Sequence, residues 1–346
     1  MHADIRPAID ALLADRPLTT AEAEAAFTVV MSGDASDVET ASLLTALALR
    51  GETPEALAGA AAVLRRHATT IAPRATGLLD TCGTGGDRLH TFNISTATAL
   101  VVAGCGVPVA KHGNRSVSSS SGSADVLEAM GVILDRTPEE VADAVDTHGL
   151  GFLYARQLHP AMRHVAAVRA TLGFRTAFNL LGPLANPASA TFHLLGVGDL
   201  ATARVVADAV ALLSVPANGR TVVVCGNNQI DEVALWGTTS WFAVGGDGLR
   251  EAGTWTPNDF GLEAVDVDDL KVASPQESAN VIRGVLAGDD GPATAMVLAN
   301  AAAALWCCGR VPDVRTGVNT ARDAVRDGNA AAVLQDLSTA GSGEHG

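Results

Sequence analysis

Aromatic residues make up only 4% of the chain, so platforms for stacking nucleic-acid bases are poorly supplied. Positive charge is scarce too: 23 Lys and Arg face 38 Asp and Glu, a net charge of −15. A field of that sign repels long nucleic acid and anionic membrane alike, and neither is an expected partner. A small anion can still bind where cations gather locally. The five cysteines (Cys82, Cys105, Cys225, Cys307, Cys308) form no C-x-x-C pair and no zinc spacing. That excludes a disulfide scaffold and suits buried thiols in a reducing cytoplasm. No apolar run is long enough for a bilayer: the stretch from Ala97 to Ala110 is short and contains Gly104, Gly106 and Pro108. Charges scattered from Met1 to Asp15 leave no apolar core for a secretory leader.

What is present is bulk and glycine. The 346 residues suffice for two domains, and 48% are apolar, enough for a large core. The 35 glycines follow no collagen-like period and point to tight loops. Residues 1–72 carry repeated helix punctuation. Thr19-Thr20-Ala21-Glu22 and Ser36-Asp37-Val38-Glu39 are capping boxes, Thr53-Pro54-Glu55 is an N-cap with proline in the first turn, and Gly33 and Gly51 close helices. From residue 73 the pattern changes to strand, glycine loop, helix, twice over. Leu78–Asp80 leads into Gly83-Thr84-Gly85-Gly86 and a helix from Asn93 to Ala103; Val107–Ala110 leads into Lys111-His112-Gly113-Asn114-Arg115 and a helix near Ser123. Further strands are expected at Phe192–Gly196, Thr221–Cys225 and Trp241–Val244, and helices at Ala201–Leu213 and Pro292–Cys308, with 247–275 irregular. The fold class is α/β: a small all-helical domain plus a larger domain with a mainly parallel central sheet. Residues 341–346 read as a mobile tail.

In such sheets ligands sit beyond the C-terminal strand ends, where both loops fall. Position 88 is Arg, not the Gly of a dinucleotide fingerprint, and there is no G-K-[S/T] of a P-loop. Bare glycine amides followed by Asn93-Ile94-Ser95-Thr96 at a helix start suit phosphate. The second loop sets Lys111, His112 and Arg115 within five residues, followed by Ser116 and Ser118 to Ser121. Two adjacent cradles suit a ligand with two separate phosphate groups, which usually brings Mg²⁺. Asp231-Glu232, after the strand Thr221–Cys225, and Asp87 are candidate carboxylates for it. A third group, His159, Arg163, Arg169, Arg175 and Asn179, includes one arginine, Arg169, among apolar neighbours. Its guanidinium suits a substrate carboxylate or a structural acid.

Together these blocks resemble the anthranilate phosphoribosyltransferase family. They are Asp80–Asp87, Thr91–Thr96, Val109–Ser119, Gly122–Glu128, His159–Met162, Arg175–Leu184 and Asn300–Leu305, in order along nearly the whole chain. The resemblance implies a helical domain of 1–72 completed by 165–190, an α/β domain of 73–164 and 191–340, and a cleft between them. It implies that phosphoribosyl pyrophosphate contacts Gly83, Gly86, Asp87, Thr91, Asn93, Ile94, Ser95, Thr96, Lys111, His112, Gly113, Asn114, Arg115, Ser116, Val117, Ser118, Ser119 and Ser123. Anthranilate would meet Gly83, Asn114 and Arg169, and Mg²⁺ would meet Ser95, Asp231 and Glu232. A homodimer through the helical domain and a cytoplasmic enzyme of tryptophan biosynthesis are implied as well. An aromatic amine is neutral at pH 7, so no nucleophilic side chain and no dedicated base is expected. Three stretches depart from the family pattern: Arg156-Gln157-Leu158, Cys225–Ile230 and Thr294-Ala295. The alternatives are a paralogue with another aromatic amine as acceptor, a non-catalytic nucleic-acid-binding paralogue, which intact Asp231-Glu232 and the charge of −15 oppose, and a nucleoside phosphorylase of the same fold, whose phosphate loop Lys111-His112-Gly113-Asn114-Arg115 does not resemble.

Overall fold

The computed structural model describes residues 1–116, 120–213 and 215–339. Four helices open the chain: Arg6–Leu13, Thr20–Ser32, Asp37–Arg50 and Pro54–Arg66. Thr19 and Glu22 complete a reciprocal capping box, as do Ser36 and Glu39. Gly33 closes the second helix at φ +82°, in the left-handed region open to glycine. Helix Arg163–Leu172 packs against the second and third of these helices, far from them in sequence.

A seven-stranded sheet follows. Its strands are β1 (Leu79–Asp80), β2 (Val109–Gly113), β3 (Leu150–Tyr154), β4 (Phe192–Gly196), β5 (Arg220–Gly226), β6 (Thr239–Gly245) and β7 (Arg250–Trp255), in the spatial order β3-β2-β1-β4-β5-β6-β7. The first five are mutually parallel; β6 and β7 run antiparallel at one edge. The fold is therefore a small helical unit plus a larger α/β unit with a mainly parallel sheet.

Strand alternation divides the interior in two. Leu194, Val222 and Val224 face a core with helices Ile94–Gly104 and Pro292–Cys307. Their neighbours Leu195, Val223 and Cys225 face a second core, which is continuous with the apolar faces of the N-terminal helices and with Val165, Phe178 and Leu181. Helix Leu200–Leu212 joins the two units by packing on Pro54–Arg66. The chain order β3-β2-β1-β4 reverses direction at β1, which sets the loop after β1 at a switch point, the position where parallel sheets leave a crevice.

Several elements differ from expectation. β3 is an additional strand, and β7 with the short helix Pro257–Phe260 lies inside the segment expected to be irregular. The second glycine-loop strand also extends further, so Lys111, His112 and Gly113 belong to β2 rather than to the loop after it. The expected tail, 341–346, lies outside the described residues, and no helix among the described residues is long and apolar enough to cross a membrane.

Candidate active site

The loop after β1 is a sharp, left-handed turn. Gly85 and Gly86 have φ of +67° and +77°, and Arg88 and His90 adopt +64° and +58° despite their side chains. Consecutive residues of this kind turn backbone amides to one side, at a cost in strain for the two that are not glycine. Three glycines here are closely approached, Gly196 by backbone and Gly83 and Gly86 by the tips of side chains. A Cβ on Gly83 would stand 2.4 Å from Asp231 Oδ2, one on Gly86 1.9 Å from Arg175 Nη1, and one on Gly196 1.6 Å from the Asp231 carbonyl. The Gly85 amide donates to Asp231 Oδ2 at 2.6 Å and the Thr84 amide to the Gly196 carbonyl at 2.9 Å. The amides of Gly86, Asp87 and Arg88 find no acceptor among the described residues.

Three carboxylates border this turn. Glu232 accepts the Ser95 amide at 3.0 Å, at the start of helix Ile94–Gly104. Burial, with the Asp231 charge second, holds the Glu232 carboxyl well above the usual carboxylate range. The same two causes in the same order raise Asp87. Burial chiefly, and the Asp231 charge next, disfavour the charged forms of these carboxyls, and a cation would favour them. Among the described residues no three His, Cys, Asp or Glu side chains converge closely enough to hold an ion by themselves. A cation here takes part of its shell from ligand oxygens or water, as Mg²⁺ commonly does. Asn300, buried in helix Pro292–Cys307, props the acids: it accepts the Val233 amide at 2.8 Å and donates to the Val233 carbonyl at 3.0 Å.

The three cations expected in one loop are not gathered in one place, which corrects the reading of the second loop as a basic cluster. Lys111 and His112 are adjacent on β2, so their side chains leave on opposite faces. Lys111 is buried and points to β1 and the following helix, where Nζ donates to the Thr81 carbonyl, Thr81 Oγ1 and Ser95 Oγ, all at 3.3 Å. Each of its hydrogen-bond partners among the described residues is neutral. His112 is buried on the other face. Its Nδ1 lies 3.0 Å from the Gly182 carbonyl and its Nε2 3.1 Å from His159 Nε2. A carbonyl only accepts, so His112 carries its proton on Nδ1 and accepts at Nε2, and His159 donates from Nε2. That leaves the buried His159 Nδ1 without a partner. Burial depresses both imidazoles, His159 to about 3, so both are neutral at pH 7. Arg115 is spent on acids: it forks onto Glu128, reaches Asp125 at 2.9 Å and donates to the Tyr154 hydroxyl at 3.1 Å.

The remaining expected residues divide into those that face the loops and those that brace them. Asn93 is a brace: its Oδ1 accepts from Ser121 at 2.7 Å and from Ser278 at 2.8 Å, tying the two loops to helix Pro275–Ala287. Ile94 is in the core and can offer a ligand only its main chain. Thr96 Oγ1 is buried and unpartnered at the helix start. Thr91 bridges to Lys271. The Ser116 amide donates to Asp125 at 2.9 Å, and Ser123 Oγ bonds both the amide and the carbonyl of Asn114. Gly113 has no room for a Cβ, which would meet Ser123 Oγ at 2.2 Å. Val117, Ser118 and Ser119 lie outside the described residues. Arg169 has no carboxylate partner among the described residues. Its guanidinium lies 5.4 Å from the Phe178 ring centroid, and burial lowers its pKa.

The departures from the family pattern are local. Asn227 and Asn228, at φ +48° and +52°, form a tight turn closed by the Gln229 amide on the Gly226 carbonyl, a conformation asparagine tolerates well. Their side chains bond Gln229 and the Leu200 amide, not the acids. Gln157 pairs with Asp135. Thr294 and Ala295 line a groove of about 640 Å³ whose wall includes none of the two loops. Ser278, Tyr154 and Asp125 escape sequence reasoning as site residues. Only Asn300 carries a local signal, as a lone amide in an apolar helix.

Two family models match the chain: "Glycosyl transferase family, helical bundle domain" over residues 6–68 and "Glycosyl transferase family, a/b domain" over residues 75–331. The chain is 47% identical over 321 residues to the anthranilate phosphoribosyltransferase of Haloarcula marismortui, covering 92% of this chain and 95% of that one. It is 44% identical to that of Rubrobacter xylanophilus, covering 96% of each. Among solved structures, anthranilate phosphoribosyltransferase from Thermus thermophilus superposes with a TM-score of 0.88 at 40% identity, covering 96% of this chain and 98% of that one. The Saccharomyces cerevisiae enzyme in complex with PRPP and Mg also gives 0.88, at 28% identity, covering 98% and 99%.

Proposed function

The chain belongs to the anthranilate phosphoribosyltransferase family, and we propose that the two loops that follow β1 and β2 are where it carries out that family's reaction. The enzyme transfers the phosphoribosyl group of 5-phosphoribosyl 1-pyrophosphate to anthranilate, giving N-(5-phosphoribosyl)anthranilate and pyrophosphate in tryptophan biosynthesis. The anthranilate nitrogen forms a bond to C1′, the bond from C1′ to the pyrophosphate oxygen breaks with its electron pair, and the amine proton leaves to solvent. The neutral amine needs no strong base, and no side chain is assigned as nucleophile or base.

One observation carries the site reading. A buried Lys111 ammonium, whose hydrogen-bond partners among the described residues are all neutral oxygens and whose charge also reaches Glu232, lies in the same site as a turn whose Gly86, Asp87 and Arg88 amides are unclaimed. Both features favour an anion. Ser95, Asp231 and Glu232 would hold Mg²⁺, which supplies charge neutralisation for the leaving pyrophosphate. Arg169, half-buried and with no acid partner among the described residues, is the cation suited to the acceptor carboxylate, with the Phe178 ring beside it. Assembly as a homodimer through the helical unit belongs to the same proposal. Val38 and Leu49 on helix Asp37–Arg50 and Leu13 at the end of Arg6–Leu13 support it, since each is at least 70% exposed although apolar. A cytoplasmic location is part of it as well.

The test is pyrophosphate release from phosphoribosyl pyrophosphate, with and without anthranilate and Mg²⁺, in the wild type and in Lys111→Met. Release that depends on both additions is expected. Because an apolar side chain of similar length avoids burying a charge, Lys111→Met should keep or raise its melting temperature while losing roughly 2–5 kcal/mol of sugar-phosphate binding or transition-state stabilisation. Wild-type kinetics in Lys111→Met would remove the cradle from this loop.

A further inference from the structure

We infer that Arg175 is a positioning residue for the glycine loop, holding the carbonyls of Gly85 and Gly86 so that the amides behind them face the diphosphate. The inference rests on the reading of that loop as a diphosphate cradle. Arg175 lies on the connection between helix Arg163–Leu172 and the short helix Phe178–Leu181, the part of the chain that shares its core with the N-terminal helices. Its Nη1 donates to the Gly85 carbonyl at 3.1 Å and to the Gly86 carbonyl at 3.2 Å. A peptide group is planar, and its N–H points opposite to its C=O. The carbonyl of Gly85 shares a plane with the amide of Gly86, and the carbonyl of Gly86 shares one with the amide of Asp87. Drawing both carbonyls toward the guanidinium therefore turns those two amides away from it. They are among the amides that have no acceptor in the fold.

From the other side Asp231 Oδ2 takes the Gly85 amide at 2.6 Å. The turn is thus gripped through an N–H by the sheet's acids and through two C=O groups by an arginine of the helical segment. No side chain could share that space, since a Cβ on Gly86 would lie 1.9 Å from Arg175 Nη1. Arg175 forms no ion pair among the described residues, so the two carbonyls are its only hydrogen-bond partners there.

The loop carries its own reporter, because Arg88 is exposed and open to trypsin. Arg175→Ala, and Arg175→Met, which keeps an unbranched stem, are compared with the wild type in the full chain. Three quantities are measured: the rate of tryptic cleavage after Arg88 in the free protein, the KM values of both substrates, and the melting temperature. The expected result is cleavage about 10-fold faster, a KM for phosphoribosyl pyrophosphate raised about 10-fold, a KM for anthranilate within twofold of wild type, and an unchanged melting temperature. Unchanged cleavage overturns the inference in either case: with unchanged KM Arg175 has no role, and with raised KM it touches the substrate directly. If the Ala variant does not fold, the Met variant carries the same comparison. Failure of the cradle reading is seen separately, as wild-type protein whose cleavage after Arg88 is not slowed by phosphoribosyl pyrophosphate with Mg²⁺.

Discussion

Gly83→Ala tests whether the acids are placed by the backbone they touch. The glycine needs no unusual dihedral angle, so the added methyl acts through space alone. Its Cβ would stand 2.4 Å from Asp231 Oδ2, and the nearest backbone atom, the Asp231 carbonyl oxygen, would be at 3.2 Å. The carboxylate is the flexible neighbour and must retreat by about 1 Å to reach ordinary van der Waals contact. That movement breaks its 2.6 Å bond from the Gly85 amide, a charge-assisted hydrogen bond worth roughly 1.5–3 kcal/mol. Displacing a carboxylate or its supporting partner lowers metal affinity by roughly 10- to 100-fold. The assay is the initial rate as a function of Mg²⁺ concentration, with the melting temperature alongside. The half-saturating Mg²⁺ concentration should rise by that factor while the rate at excess Mg²⁺ recovers. Gly85→Ala is the control. Its Cβ meets nothing within 4 Å, but its φ of +67° costs a left-handed alanine roughly 1–2 kcal/mol. It should destabilise without the same change in Mg²⁺ dependence. A Gly83→Ala protein with wild-type Mg²⁺ dependence would show that Asp231 is not held where this geometry puts it.

Arg169→Ala should keep its melting temperature within a few degrees, since among the described residues there is no acid to lose, and should raise the KM for anthranilate by a factor equivalent to roughly 2–5 kcal/mol of binding energy, with little change for phosphoribosyl pyrophosphate. Arg169→Lys should rescue poorly, because an ammonium cannot form the planar fork; early melting with both KM values unchanged would assign Arg169 to structure. The buried imidazoles set an acid limit. His159 is lowered from 6.5 to about 3, so below pH 6.5 the unfolded chain takes up a proton that the folded chain refuses. Stability present at neutral pH is then lost as the pH falls through that window. Thermal unfolding from pH 7 to pH 4 should show a falling midpoint, with a shallower fall in His159→Asn; equal slopes would refute the assignment.

Local signals served the fold well wherever the chemistry was local. Capping boxes at Thr19 and Ser36 name helix starts because the cap and its partner lie three residues apart. β4 was legible to the residue, as an apolar run between polar turns. β3 was not, because Leu150–Tyr154 is buried on both faces and shows no alternation, and its Gly151 reads as a break. That glycine is there for packing: a Cβ would meet the Val141 carbonyl at 2.7 Å, on the helix that crosses the strand. β7 alternates weakly at an exposed edge within an acidic segment. At the site, residue types were legible and their directions were not. Lys111, His112 and Arg115 look like one cluster along the chain, but a strand sends neighbours to opposite faces and Arg115 has two acids on the next helix. Ser278 reaches Asn93 across 185 residues, a pairing no window of sequence contains.

The disposition of charge explains how a chain of net charge −15 can hold a polyanion. The bulk field is unfavourable, and most nearby cations are already neutralised or kept neutral, as Arg115 and the His112–His159 pair show. What remains is one buried ammonium, the Arg175 guanidinium behind the glycine loop, a set of backbone dipoles and two carboxyls, Asp87 and Glu232, whose pKa values are raised by burial and by the charge of Asp231. A free diphosphate meets Asp87, Asp231 and Glu232 as like charges, and a free cation meets Lys111. Neither charge is well accommodated alone, whereas a diphosphate carrying its own divalent cation satisfies both halves together. Discrimination against other anions therefore follows from the pairing of the two halves more than from the strength of either, and the net charge of the protein adds to it by repelling anions that arrive without a metal.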